Sequence, residues 1–574
     1  MERVWYQHYE RGVAHDVAHQ PIALADLLAE RARTFPKKVA TRFPLSYMLG
    51  DRLTIGGTLT YAELDAHVNR FANALLKMGV KAGDRVALVL PNSPQFVIAF
   101  FGAMRIGAIV VNNNPTYTAT ELKHQFVDSG AETVVLLNLF VPRVREIQAQ
   151  TSVKRLIVVH IFDLLPMPAA LLVKAKQKRD AAWVDVTSDA STFMLSDLLA
   201  ESPAASPGIK VDPSATALLQ YTGGTTGIPK AAMLTHNNLI INAAQARAWI
   251  PGCKQGEERM MCAAPFFHVY GMTVCMIVGI YMAAELVITP NPRPISGVMK
   301  IIAKERCTIF PGVPAMYIGI INNSDVKSFD LTSIKVCISG SAPLPMEVQE
   351  RFGEITGGRL VEGFGMTECS PVSHANPING LRKPGSIGIP IPGTDARLID
   401  LETGAPLPIP SDREGELCVR GPQVMQGYWN QPDETAQTVD ADGWLRTGDI
   451  ARVDADGYFS IVDRKKDMII ASGLKVLPRE VEEVLFTHDA IVEAVICGIP
   501  NAARGDDMVK AYIVLKEGAS VTPAAIRSFC AERLAPHKVP REVEFRTELP
   551  KTLVGKVLRR ALIEEEQRKR AAQV

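Results

Sequence analysis

Residues 58 to 114 alternate between helix and strand signals, and that alternation restricts the possible folds more than any other feature of the chain. Thr60-Tyr-Ala-Glu63 has the form of a capping box, in which hydroxyl and carboxylate satisfy each other's backbone N–H groups at a helix start. Leu64, Val68, Phe71, Leu75 and Leu76 then recur at helical spacing. Arg85 to Leu90 (RVALVL) is a short apolar run stopped by Pro91-Asn92, and a second helical pattern leads to Ala108-Ile-Val-Val111. Strand, helix, strand in that order requires a crossover, so the expectation is a parallel α/β sheet. Val134 to Leu137 and Leu156 to Val159 extend it.

At 574 residues the chain exceeds one core, and roughly 150 residues per domain implies three or four folding units. A hydrophobic share of 47% with 21% charged residues excludes a disordered chain. Lys and Arg (62) balance Asp and Glu (61), so no global field draws nucleic acid and the ligand must be recognised locally. The nine cysteines include no Cys-x-x-Cys pair and are odd in number, which suggests neither a disulfide framework nor a zinc site. They read as small core hydrophobes in a reducing compartment. No signal-peptide order opens the sequence and no run of 18 apolar residues occurs, so the expected location is cytoplasmic.

From Ile161 to Lys178 the character changes, with Leu164, Leu165, Met167, Leu171, Leu172 and Val173 running into Lys174, Lys176, Lys178 and Arg179. The favoured reading is a core or linker segment, interrupted by Pro166 and Pro168 and ending in a solvated basic turn; contact with a membrane surface is the alternative. Ser202 to Pro213 reads as an irregular connection. The best domain boundary follows Asp463, where a strand-like Gly457 to Arg464 gives way to Lys465-Lys466-Asp467. Beyond it, Pro478 opens a helix, strands are expected at Val492 to Cys497 and Val509 to Leu515, and a helical tail follows Gly555. Its charges, Glu564 to Arg570, read as a solvated end.

Five islands carry chemistry. Tyr221-Thr-Gly-Gly-Thr-Thr-Gly-Ile-Pro-Lys230 combines glycines that can turn N–H groups inward with hydroxyls and a lysine, which suits phosphate. It is not a Walker A loop, because Ile228 and Pro229 separate the last glycine from Lys230, and a plain flexible loop is its rival. Pro265-Phe-Phe-His-Val-Tyr-Gly271 places one histidine beside an apolar stretch, as a pocket for a greasy acid or as an ordinary core histidine. Val361-Glu-Gly-Phe-Gly-Met-Thr-Glu368 offers an aromatic face for a purine, a hydroxyl for phosphate and a carboxylate for Mg2+, or simply a tight turn. Asp449, in Trp444-Leu-Arg-Thr-Gly-Asp449, can accept from ribose hydroxyls or form a turn. Lys556, in Leu549-Pro-Lys-Thr-Leu-Val-Gly-Lys556, is either a surface lysine or a charge delivered to an anionic intermediate.

Taken in order, YTGGTTGIPK, PFFHVYG, GSAPL, GFGMTE, GWLRTGD, DRKKDMI and PKTLVGK resemble the motif series of the adenylate-forming superfamily of acyl-CoA synthetases, luciferases and adenylation domains, over nearly the whole chain. RFANALLKMGVKAGDRVAL, GPQVMQGYW and IVDRKKDMI resemble bacterial long-chain fatty-acid CoA ligases within it.

The resemblance implies an α/β protein. Residues 1–463 would form a large N-terminal ATP- and acyl-binding domain of stacked α/β sheets plus a β-barrel-like lobe, residues 464–467 a hinge about Lys466, and residues 468–574 a small mobile α+β C-terminal domain. It implies ATP, Mg2+ and CoA as cofactors, a fatty acid as substrate, and leaves a homodimer and peripheral contact with the inner face of the membrane open. Thr222, Gly223, Gly224, Thr225, Thr226, Gly227 and Lys230 would hold the β and γ phosphates. Gly340, Ser341 and Ala342 would surround the nucleotide together with Glu362, Gly363, Phe364, Gly365 and Met366. Thr367 would meet the α-phosphate, Glu368 and Thr225 the metal, and Asp449 and Arg464 the ribose. Lys556 would bridge the carboxylate and α-phosphate oxygens. His268 and Val269, with Gly340 and Gly365, would line the acyl pocket, His268 near the reacting group, and Ser472, Gly473 and Lys475 would follow the pantetheine of CoA.

Two departures stand out. Gly473-Leu-Lys-Val-Leu-Pro478 replaces the usual Gly-Phe-Asn-Val-Tyr-Pro, and Phe364 replaces a tyrosine. No insertion follows the hinge between Asp467 and Glu480, unlike in ligases that stop at acyl-AMP. The rivals are a ligase for medium-chain or aryl acids and a non-catalytic, membrane-associated lipid-binding protein.

Overall fold

The computed structural model describes residues 3–17, 21–48, 53–180, 182–222, 229–342, 344–471, 474–501, 506–551 and 557–571. They divide into two compact units. One comprises Tyr6–Asp395 with Arg420–Leu445, and the other Ala396–Val419 with the chain from Arg446 on, joined by the first residues through Trp5.

The larger unit realises the alternation read from the sequence. Thr60 and Glu63 cap helix Tyr61–Lys77 reciprocally, and Leu64, Val68, Phe71 and Leu75 are fully buried along one face. Strand Arg85–Val89 follows, then helix Pro94–Arg105, started by Ser93 with proline in its first turn. Every residue of that second helix is buried, because helices cover it as well as the sheet. The sheet has eight strands in the order Gly427–Tyr428, Lys230–Thr235, Thr216–Thr222, Ile109–Asn112, Arg85–Val89, Thr133–Leu137, Arg155–Val159, Thr192–Met194. The last six are mutually parallel. Val89, Val111, Leu136, Val158 and Leu219 point to one face and pack on Leu122, Phe126 and Val144. A second layer of strands carries Val336–Ser339 parallel to Arg359–Gly365, and Ile309 bridges Met260 and Val336 to tie it to its neighbours.

In the smaller unit, strands Asp395–Ile399, Ser411–Arg420, Leu445–Val453 and Phe459–Arg464 form one sheet. Strands Ile491–Asn501, Asp506–Leu515 and Glu542–Arg546 form another. Helices Pro478–Phe486 and Pro523–Ala531 cover it through Val481, Leu485, Ile526 and Cys530. The expected strands and helical tail are all present.

All nine cysteines are buried and none is bridged. Two local expectations change. Residues 161–178 begin in the core at Ile161 but are not a linker: they contain helix Met167–Arg179, in which Ala169 alone is buried. The prolines that looked like interruptions stand at its N-terminus, where a missing N–H removes no intrahelical bond. The tail Arg559–Ala571 is not simply solvated either. Glu566 is buried and receives Lys510 Nζ at 2.8 Å.

Candidate active site

Three of the predicted loops leave the carboxyl ends of parallel strands, where open α/β sheets bind ligands. Strands Thr216–Thr222 and Lys230–Thr235 pair antiparallel with Thr222 opposite Lys230, so the two residues that flank the glycine loop lie side by side. Gly223, Gly224, Thr225, Thr226 and Gly227 themselves lie outside the described residues. Ser339 pairs with Glu362, which brings the Gly340-Ser341-Ala342 turn beside Gly363 and Phe364. Gly340 is required there, since a Cβ would come within 2.7 Å of the Tyr270 ring. Ser341 is exposed in the left-handed region at φ 72, a conformation that costs a non-glycine residue energy and is concentrated at functional turns.

Strand Arg359–Gly365 ends in a short helical turn, Thr367–Cys369. Its tightness explains Gly365: a Cβ would lie 1.9 Å from the Pro371 carbonyl oxygen. Glu368 is consequently buried at 6% exposure, and its Oε1 accepts a 2.7 Å hydrogen bond from the Tyr428 hydroxyl. Burial and the adjacent Glu368 carboxylate both hold the Tyr428 phenol protonated, well above its usual range. The ring of Tyr428 faces the Lys230 ammonium at 5.5 Å. That ammonium, also 6% exposed, pairs with Glu434. Thr435, one residue on in helix Pro432–Thr438, accepts the Tyr428 N–H at 2.8 Å. Lys230 and Glu368, predicted separately, are therefore joined by Tyr428 and Glu434, to which the sequence assigned no role.

The histidine turn is fixed from two sides. Asn92 Nδ2 donates to the carbonyls of Cys262 and Ala264, and its Oδ1 accepts the Phe266 N–H at 2.7 Å. Gln220, on the strand before the glycine loop, donates to the Phe267 carbonyl at 3.0 Å. Asn92 was legible only as a strand stop. His268 is half-buried, Nδ1 accepts the Tyr270 N–H at 3.3 Å, and Val269 beside it is buried. The apolar stretch that follows, Gly271–Ile277, is a fully buried π-helix. Phe364 is half-buried and meets His374 edge-on at 6.1 Å; burial drives the His374 imidazole down to about 3, so it is neutral.

In the smaller unit the two ribose candidates meet. Asp449 and Arg464 are cross-strand partners, and Arg464 Nε lies 3.0 Å from Asp449 Oδ1, with Asp449 2% exposed. Asp449 N–H is held by Thr447 Oγ1 at 3.1 Å. Around the expected hinge, Lys466 is followed by Asp467, which pairs with Arg559 at 3.0 Å, and Arg559 also binds Glu482 at 2.6 Å. Asp463 is buried and pushed up to about 6 by that burial, while accepting the N–H groups of Arg464 and Arg479. Lys475 is exposed on strand Leu474–Val476, 3.7 Å from Glu402. Ser472, Gly473 and Lys556 lie outside the described residues.

Residues 28–429 match the family described as AMP-binding enzyme, and residues 480–556 match the AMP-binding enzyme C-terminal domain. The chain belongs to this AMP-binding enzyme family. A long-chain-fatty-acid–CoA ligase of Bacillus subtilis (strain 168) is 43% identical over 567 residues, 98% of each chain. One of Salmonella typhimurium is 37% identical over 575 residues, again 98% of each. Among solved structures, the anthranilate CoA ligase AuaEII in complex with anthranoyl-AMP superposes with a TM-score of 0.80 at 26% identity, covering 97% of this chain and 99% of that one. The AMP-binding match takes in Lys230, Glu368 and Tyr428, whereas Asp449 and Arg464 fall between the two matched regions.

Proposed function

We infer that this AMP-binding enzyme is an ATP-dependent long-chain fatty-acid CoA ligase. A carboxylate is a poor acyl donor, because its charge repels nucleophiles and its oxygen leaves badly. Attack of the carboxylate on the α-phosphorus of ATP expels pyrophosphate and gives acyl-AMP; attack of the CoA thiol on that acyl carbon then gives acyl-CoA and AMP. The acid class rests on the full-length relatives. The chemistry rests on one observation, the buried Glu368 carboxylate and buried Lys230 ammonium disposed about the ring and hydroxyl of Tyr428.

This donor set fits Mg2+. One buried carboxylate, oriented by a hydroxyl on one oxygen, is what that ion asks of a protein when phosphates supply its other ligands. In this reading Glu368 and Thr225 hold the ion, which neutralises phosphate charge. Thr367 meets the α-phosphate, and Thr222, Lys230 and the glycine loop grip the phosphates that leave. Asp449 and Arg464 orient the ribose, the 340–342 turn and Phe364 flank the base, and His268 and Val269 line the acyl path. Lys556 supplies charge where it develops in the adenylation transition state.

For the second step, the C-terminal domain turns about Lys466, withdraws Lys556 and presents Ser472, Gly473 and Lys475 to CoA. Between Asp467 and helix Pro478–Phe486 the chain is filled by the ladder Ile469–Ala471 with Leu474–Val476, leaving no insert of the kind seen in acyl-AMP-only ligases. Among the described residues no helix is long and apolar enough to cross a membrane; peripheral contact is the form of association this reading includes.

Pyrophosphate release across a series of acids from aryl and medium-chain to long-chain, with and without CoA, tests the assignment. Maximal release with a long-chain acid and CoA-dependent thioester formation are expected; preference for an aryl or medium-chain acid replaces the substrate class, and no acid-dependent release ends the enzyme reading. Lys556→Ala should abolish adenylation while sparing thioester formation from supplied acyl-AMP, and equal loss of both steps overturns its role.

A further inference from the structure

Helix Met167–Arg179 takes no part in the chemistry above, yet its surface is unusual. Its inner stripe is Ala169, with Val173 and Gln177 half-buried beside it. The outer surface is divided end to end. Met167, Leu171 and Leu172 are 71%, 59% and 52% exposed, and the exposed cations Lys174, Lys176, Lys178 and Arg179 follow them. Met167, Leu171, Lys174 and Lys178 stand at i, i+4, i+7 and i+11, so apolar and basic residues share one face. Large apolar side chains left in water at this density mark an interaction surface.

Three further observations bear on the partner. First, among the described residues Arg179 alone of the four cations forms an ion pair, to its neighbour Asp180. Lys174 and Lys178 instead lie 5.4 and 5.3 Å from the Trp183 ring, which is stacked with His160 and Phe162. Their charges are positioned but not neutralised. Second, the helix begins at the rim of an open cleft of about 590 Å³ where Phe43, Leu59, Leu164 and Leu165 stand together with Arg42, His67 and Asp163. Third, the strand pair that forms the cleft's other wall ends in Met48 and Leu53, 45% and 44% exposed. An anionic surface with an apolar interior matches all of these features.

We propose that the outer face of helix Met167–Arg179 docks on an anionic phospholipid bilayer. Met167, Leu171 and Leu172 enter the boundary between headgroups and acyl chains, and the lysines extend their ammoniums to the phosphates. The inference refines the peripheral contact named above and is independent of the catalytic assignments.

The test is flotation of the full-length protein with vesicles of phosphatidylcholine alone or mixed with phosphatidylglycerol, at low and high salt. Binding to the mixed vesicles, weakened by salt, is expected. Replacing Lys174, Lys176 and Lys178 together by Gln should weaken it on the order of a hundredfold, at roughly one factor of five per charge. Leu171→Glu with Leu172→Glu should abolish it, while melting temperature and turnover of a soluble acid stay at wild-type values. The proposal is overturned if the wild-type protein does not float, if it floats equally on neutral vesicles, or if both variants float like wild type. A self-association lost in the variants, without flotation, would instead make the face a contact between copies. Soluble-acid turnover in the same preparations separates a failure of docking from a failure of the ligase assignment.

Discussion

The hydroxyl of Tyr428 donates to Oε1 of Glu368 at 2.7 Å across 60 residues of chain, and this contact sets the orientation of the carboxylate assigned to Mg2+. Removing a hydrogen bond to a charged, buried group costs about 1.5–3 kcal/mol. Tyr428→Phe keeps the ring beneath Lys230 and deletes only the donor. Its ATP affinity should fall roughly tenfold or more at limiting magnesium and recover as magnesium is raised. Calorimetric titration of ATP at graded magnesium measures this directly, and an affinity that matches wild type throughout removes Tyr428 from the site.

Asp449 is assigned to the ribose hydroxyls, with Arg464 3.0 Å away on the neighbouring strand. A site built to bond a hydroxyl rejects a ligand lacking it, because the buried acceptor is left unmatched. The wild-type protein should therefore bind ATP much more tightly than 2′,3′-dideoxy-ATP. Asp449→Ala should shrink that preference by an order of magnitude or more. A preference untouched by the substitution would leave Asp449 as a turn residue only.

Two glycines should respond oppositely to the same change. Gly365→Ala forces a Cβ to within 1.9 Å of the Pro371 carbonyl, next to Glu368. Backbone must move, at a cost of at least about 1–3 kcal/mol, with loss of adenylation. Gly297, in helix Ile295–Glu305, has nothing within 4 Å of its Cβ position, so Gly297→Ala should gain about 0.5–1 kcal/mol. Thermal melts of the two variants compare them.

Stability should fall as pH drops below about 6.5. His236 accepts the Leu24 N–H on Nδ1 and burial takes it down to about 4; burial takes His374 to about 3. Between those values and the ordinary histidine range the unfolded chain binds protons that the folded chain does not, so the free energy of unfolding decreases with falling pH. From pH 7.5 to 5.5 the two together remove about 2–3 kcal/mol, and Asp463, pushed up to about 6, returns about 0.5–1 kcal/mol because the folded chain binds its proton first. Urea midpoints over that range check it, and His236→Asn should remove more than half of the net slope.

Much of this was legible locally. The Thr60–Glu63 cap, the strands and the positions of Glu368 and Asp449 all follow from patterns a few residues long, and folding preserved them. Their connections were not legible. Lys230 reaches Glu434 across 204 residues, and Asn92 reaches Phe266 across 174, through pairings that only the packed strands define. GPQVMQGYW was visible as a motif, but nothing in its composition says that its tyrosine turns toward a carboxylate. Helix Met167–Arg179 was obscured for a different reason: proline has opposite meanings at a helix start and in a helix interior, and the sequence alone did not decide which applied.

Tyr428 spans the buried Glu368 carboxylate and the buried Lys230 ammonium, with its own N–H tied to Thr435 and Lys230 tied to Glu434 in the same short helix. This region of the candidate site is thus a single mechanical part rather than a collection of separate side chains. Any shift of residues 427–435 retunes both charges at once.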